Sequence, residues 1–217
     1  AMKSNLSRKL AKPMLFLAAF IWGTSFFIMK NTLDATPVFW LLTFRFGTGA
    51  ILLGLFCWKK WGTVFKKDYI WRGGILGAFL YLAYSAQTFG LVYTTPSKNA
   101  FLTSVYCVLV PFLYWWLAKQ RPDRYNILAA VLCVAGVGLV SALFYALHIV
   151  AVNKLSPGKD VYLITVFQFA GTAILSLISA ALFQPFPAAI FSQAQVLLPL
   201  LYLCVVCTTV ALLFQNV

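Results

Sequence analysis

Long apolar runs separated by short polar connections cover almost the whole chain. A helix needs roughly 20 residues to cross an apolar layer about 30 Å thick, and somewhat fewer when its ends snorkel. On that measure helices are predicted at residues 13–30, 37–58, 72–93 and 98–118. The run 125–153 is assigned a fifth and a sixth helix together, residues 161–183 a seventh and residues 195–217 an eighth. Pro13, Pro37, Pro96, Pro122, Pro157, Pro185 and Pro187 lie at or near segment ends, where helices stop or start. Pro111 and Pro199 fall inside helices and predict kinks, which membrane helices tolerate. The pattern is that of an all-α integral membrane protein with about eight transmembrane helices.

Composition strengthens this reading. Of the 217 residues, 62% are hydrophobic and 10% charged, too little polar surface to wrap the core of a water-soluble fold. Glu is absent, and Asp34, Asp68, Asp123 and Asp160 all fall between the apolar runs. The formal charge of +13 would suggest nucleic acid in a soluble protein, but here Lys and Arg collect in the connections and act as topological anchors. Four precede the first helix, five follow the second (Lys59, Lys60, Lys66, Lys67, Arg72), three follow the fourth (Lys119, Arg121, Arg124) and two follow the sixth (Lys154, Lys159). The alternate connections hold only Lys30 and Lys98. This asymmetry predicts a multi-pass protein of a bacterial-type inner membrane with a cytoplasmic N-terminus. The apolar stretch after Lys12 runs to Met29 without a clear cleavage site, so it is read as a retained helix and not as a leader. Cys204 and Cys207 form the only Cys-x-x-Cys, with no second ligand pair, so neither a metal nor a cofactor is expected.

The chain also repeats itself. Phe44-Arg45-Phe46-Gly47-Thr48-Gly49-Ala50-Ile51-Leu52 and Phe167-Gln168-Phe169-Ala170-Gly171-Thr172-Ala173-Ile174-Leu175 agree at five of nine positions, 123 residues apart. The same offset lays Trp22 over Tyr145, Gly23 over Ala146 and Lys30 over Asn153, and a slightly smaller one lays Leu80-Tyr81-Leu82 over Leu201-Tyr202-Leu203. Five helices per unit make the second copy enter the membrane from the opposite side, the inverted repeat of many transporters. The predicted units are residues 1–141 and a partial second unit at 142–217. Two helices and a turn need roughly 40 residues, whereas the uncharged stretch from Tyr125 to Asn153 offers 29. A connection is therefore expected to be absent near Ser141 to Phe144, and mates for the fourth and fifth helices to be absent after Val217.

These residues resemble the drug/metabolite transporter superfamily, in its EamA-type branch. The resemblance rests on Ala18-Ala19-Phe20-Ile21-Trp22-Gly23-Thr24-Ser25-Phe26, on Phe44-Arg45-Phe46, and on Ala100-Phe101-Leu102-Thr103-Ser104 followed by Pro111. It implies ten helices in two inverted five-helix repeats around a central cavity built mainly by the first four helices of each. It also implies export or import of amino acids and other small metabolites.

Nine residues are candidates for the substrate site. Arg45 is the only charge well inside a predicted span, where insertion costs about 2.5 to 3.5 kcal/mol and a cavity or partner is the usual compensation. It can bind a substrate carboxylate, or be a structural Arg satisfied by carbonyls. Trp22, Tyr81, Tyr84, Gln87, Tyr106, Tyr145, His148 and Gln168 supply aromatic and polar groups at membrane depth. Around a pocket they would grip an amphipathic solute by stacking and hydrogen bonds; each aromatic can equally face lipid or pack helices, and each Gln can tie two helices. His148 is a candidate proton carrier or a packed neutral histidine. Gly73 with Gly77, and Gly136 with Gly138, are assigned to close helix packing. The expected function is a secondary transporter, not an enzyme, exporting amino acids or related amphipathic solutes by alternating access, driven by a proton or by a counter-solute. A lipid-modifying enzyme would want positioned acids or metal ligands, and a small-ion channel rings of like polar groups; these are the alternatives.

Overall fold

The computed structural model describes residues 2–58, 67–118 and 140–211. In chain order its elements are α1 (Met2–Leu33), α2 (Val38–Phe56), α3 (Lys67–Tyr93), α4 (Pro96–Ser104), α5 (Tyr106–Ala118), α6 (Val140–Leu155) and α7 (Val161–Phe183). A 3₁₀ turn (Ala188–Ser192), α8 (Ala194–Tyr202) and a π-helical segment (Leu203–Val210) follow. No strand occurs among the described residues. Among the described residues, four stretches are long and apolar enough to cross a membrane: Pro13–Leu33, Val38–Phe56, Lys67–Tyr93 and Val161–Phe183. Leu143–Leu155 and Ala194–Val210 are apolar but shorter.

Local chemistry explains the boundaries. Asp160 caps α7, its carboxylate accepting from the Tyr162 and Leu163 amides at 3.1 and 3.3 Å. Gln184, extended before Pro185, ends the same helix. Gly158 adopts φ +73° in the turn between α6 and α7, a conformation open to glycine at no steric cost. Thr95 caps α4, with Pro96 at the first helical position.

Four predicted helices differ from those observed. The first and third begin earlier, at Met2 and Lys67, because a helix need not stop where its apolar run does. Residues 98–118 are split at Val105; Thr103 and Ser104 turn their hydroxyls back onto the Asn99 and Phe101 carbonyls, a bonding that bends helices. The eighth helix changes to π geometry at Leu203. α6 runs unbroken from Val140 to Leu155, so the interruption expected at residues 141–144 does not occur in it. The predicted fifth helix over 125–139, the basic connections at 59–66 and 119–124, Gly136, Gly138 and residues 212–217 lie outside the described residues.

Polarity is arranged inside out. Arg45, Gln87, Asn99, Thr103, Gln168, Thr172 and Thr208 are buried, whereas Phe16, Trp116 and Phe183 are 76, 77 and 74% exposed. Large apolar side chains on the outside are costly in water and at home in lipid.

α7 is the centre of the assembly, packing along both α2 and α3, and α6 packs on α3. A Cβ on Gly77 would lie 2.7 Å from the Gln168 carbonyl oxygen and 3.1 Å from Gly171 Cα, and one on Gly73 would strike Phe167. Only glycine lets α3 approach α7 this closely, and in lipid such packing is a main source of helix association. Thr172 adds an interhelical bond to the Gly77 carbonyl at 3.0 Å.

Both ends of the bundle are tied. Asp68 pairs with Arg72 at 2.6 Å and with Lys159, and Arg72 donates to the Leu155 carbonyl at 2.8 Å, fixing the start of α3 to the α6–α7 turn. At the other end of α3, Lys30 donates to the Leu91 and Val92 carbonyls at 2.9 and 2.8 Å, a cation at a helix C-terminus. Gln184 accepts from the Phe39 amide at 2.9 Å and so caps the first turn of α2.

Candidate functional site

A cavity of about 400 Å³ lies between α1, α2, α3, α4, the start of α5, α6, α7 and the π-helical segment. Trp22, Arg45, Tyr84, Gln87, Tyr106, Tyr145, His148 and Gln168 all line it. Tyr81 does not. Leu80, Tyr84 and Gln87 share one stripe of α3 at helical spacing, and Tyr81 is turned about 100° from Leu80. It faces instead the end of α7, where its hydroxyl meets Ser179 Oγ at 2.5 Å and its ring stacks on Phe39. Tyr81 is thus removed from the candidate lining.

Arg45 is 2% exposed, and among the described residues no carboxylate pairs with it. Its Nε donates to Thr208 Oγ1 at 2.7 Å, and Nη1 lies 3.7 Å from Met29 Sδ, a weak acceptor. Its Cζ sits 5.0 Å from the centre of the Tyr84 ring and 5.9 Å from that of Phe46. These faces offset part of the charge, each worth about 0.5 to 2 kcal/mol.

The π geometry builds one wall. Its i→i+5 spacing lets Thr208 donate to the Leu203 carbonyl at 2.9 Å while accepting from Arg45, and the Cys207 carbonyl accepts from Trp22 Nε1 at 3.2 Å. π-helical turns of this kind recur at functional sites. Gly49 makes room for Thr208, whose Cγ2 would lie 3.1 Å from a Cβ there.

A second wall is aromatic. Phe169, Phe46, Tyr84, Tyr145 and Tyr106 form a continuous chain of ring contacts, with centroids 5.2, 4.8, 5.3 and 5.8 Å apart in turn. Gln87 joins three helices at its edge, accepting from the Tyr145 hydroxyl at 2.9 Å and donating to Thr103 Oγ1 at 3.0 Å. Asn99 Nδ2 completes the knot on the Gln87 carbonyl at 2.9 Å. Gln168 lies beside His148, whose Nε2 is buried without a hydrogen-bond partner.

Thr103, Thr208, Cys207, Phe46 and Phe169 also line the cavity and were not among the predicted residues. Phe46 and Phe169 were visible as the matched pair of the Phe-x-Phe repeat. Thr208 carried no signal, because nothing in the sequence announces π geometry. Cys57, Cys204 and Cys207 are buried and form no disulfide among the described residues, where no cluster of three or more His, Cys, Asp or Glu fit to hold a metal occurs either.

Residues 10–142 match the model of the EamA-like transporter family. An uncharacterized transporter of Archaeoglobus fulgidus is 28% identical over 229 aligned positions, covering 98% of this chain and 70% of the relative. No solved structure matches. With the family model covering more than half of an apolar, multi-helix chain, the protein belongs to the EamA-like transporter family of the drug/metabolite transporter superfamily and is a multi-pass membrane transporter.

Proposed function

We propose that the protein moves small amphipathic metabolites, amino acids or related solutes, across the inner membrane by exposing its central cavity to each side in turn. The observation that carries this reading is the convergence of repeat-related positions on one cavity. Trp22 and Tyr145, Arg45 and Gln168, and Phe46 and Phe169 are three pairs at the same offset of 123, and all six residues line it. The Phe46 and Phe169 rings touch each other at 5.2 Å and 67°, as mates beside a two-fold axis do.

The packing supports the same symmetry. Exchanging α1 with α6, α2 with α7, and α3 with α8 and the π segment turns the α3–α7 contact into the contact of α8 and the π segment with α2. It turns the α3–α6 contact into that of α8 and the π segment with α1. The family match over residues 10–142 spans nearly the residues assigned to the first unit, 1–141. Two inverted units that rock about a shared site give alternating access. The basic connections support a cytoplasmic N-terminus, and export driven by a proton or a counter-solute completes the proposal.

The test is a thermal-shift screen of the purified protein against amino acids, organic acids, nucleosides and organic cations, followed by uptake of each stabilising solute into proteoliposomes. The proposal expects at least one solute that both stabilises and is taken up saturably. Stabilisation without uptake would make the protein a binder and overturn it.

A further inference from the structure

The cavity has one formal charge among its described lining residues, and no described acid neutralises it. Arg45 donates from Nε to Thr208 and from Nη1 to the weak Met29 sulfur, and no described residue accepts from Nη2. A guanidinium carries five donors in a planar fork that matches a carboxylate bidentately, through Nε and Nη2 or through Nη1 and Nη2. The Nη1–Nη2 end is engaged only by that sulfur, a contact a carboxylate would readily replace. Tyr84, Phe46, Tyr145 and Tyr106 stand beside it as a continuous ring-lined wall, suited to the face of an aromatic or other flat apolar body. No acid lines the cavity among the described residues to receive an ammonium.

Resting on the reading of this cavity as the solute site, we propose that its preferred solutes are singly charged organic anions, typified by aromatic monocarboxylates, with the carboxylate on the Nη1–Nη2 end of Arg45 and the ring on the Tyr84–Tyr145–Tyr106 wall. The chemistry sets an order among solutes of one size. A monoanion neutralises Arg45 and removes the penalty of an uncompensated buried charge. A neutral analogue leaves the penalty in place. An α-amino acid brings its ammonium within two bonds of the carboxylate, against the same guanidinium, and gives back part of the gain. An organic cation meets only repulsion. Gln168, at the repeat-related position, is neutral, so a second anion has no equivalent seat.

The experiment uses four probes that share a phenyl ring and differ in charge: phenylacetate, 2-phenylethanol, phenylalanine and 2-phenylethylamine. Binding to the purified, detergent-solubilised protein is measured by calorimetry in a dilute Tris–sulfate buffer free of chloride and of carboxylates. Phenylacetate is expected to bind at least tenfold tighter than the alcohol and the amine, with phenylalanine between. Arg45→Gln is expected to bring phenylacetate down to the level of the alcohol. The wild-type series stands without the variant if Arg45→Gln fails to fold. Equal binding of phenylacetate and the alcohol would overturn the anion preference and leave the cavity as a solute site. No binding by any of the four would overturn both. Chloride competing as strongly as phenylacetate itself would also overturn the proposal, by making Arg45 a seat for inorganic anions.

Discussion

Gln87 shows how a single residue organises the site. Its side chain bonds to Tyr145 on α6 and to Thr103 on α4, and its carbonyl to Asn99, so three helices depend on one amide. Interhelical hydrogen bonds in membranes average about 0.6 kcal/mol. Tyr145→Phe, which removes one of them, is expected to destabilise the protein by about that amount. Gln87→Leu strands the Tyr145 hydroxyl as well and is expected to cost about 1 to 2 kcal/mol. Unfolding in a mild detergent measures both, and equal losses would contradict the role of Gln87 as a shared node. Much at this scale was legible in the sequence. Arg45 stood out because a charge inside an apolar run must face something polar, and Gln87, Gln168 and His148 stood out on the same ground. The error at Tyr81 has a physical origin. In water the polar face of a helix reveals its orientation, but α3 is apolar on nearly all sides, so the sequence offers no way to separate Tyr81 from Tyr84 three residues on. The location of Thr208 depends on π geometry and was illegible for that reason.

Among the elements, α3 and α7 show what apolar patterning can and cannot supply. The predicted span 161–183 coincides with α7, since an Asp cap and a Gln184-Pro185 stop bracket the apolar run. α3 begins five residues before its predicted start, because its first turns are polar and held by Asp68, Arg72 and Lys159, and hydropathy does not register a helix that continues into water. The contact between the two helices rests on glycine. Gly77→Ala would force a Cβ to within 2.7 Å of a backbone oxygen of α7, which cannot give way as a flexible side chain would. Overpacking of this kind costs about 1 to 3 kcal/mol. Gly74, three residues earlier, has open space where its Cβ would lie. Gly74→Ala is therefore expected to leave stability unchanged or raise it by up to about 1 kcal/mol through helix propensity. Thermal unfolding of the two variants checks the pair, and a Gly77→Ala protein as stable as the wild type would show that α3 and α7 are not in this close contact.

For the whole molecule, fold class and family were legible, because lipid as a solvent leaves few ways to build a chain of this composition. The number of crossings was harder to read. A 16-residue α6 reaches about 24 Å, short of a full span, and the residues before it lie outside the described chain. The alignment with the Archaeoglobus fulgidus transporter runs over 229 positions, more than the 217 residues of this chain, so that relative carries residues this chain lacks. The central claim is that solute passes through the cavity, and Gly23 tests it most directly. Gly23 lines the cavity, with nothing within 4 Å of where a Cβ would stand. The Cβ of Gly23→Phe meets open space and its ring would narrow the cavity, and the folded protein is expected to keep its thermal stability. The measurement is saturable solute uptake into proteoliposomes by the wild type and by Gly23→Phe. The account predicts uptake by the wild type and a loss of at least tenfold in the variant; equal uptake by the two proteins, with the variant fully folded, would contradict it.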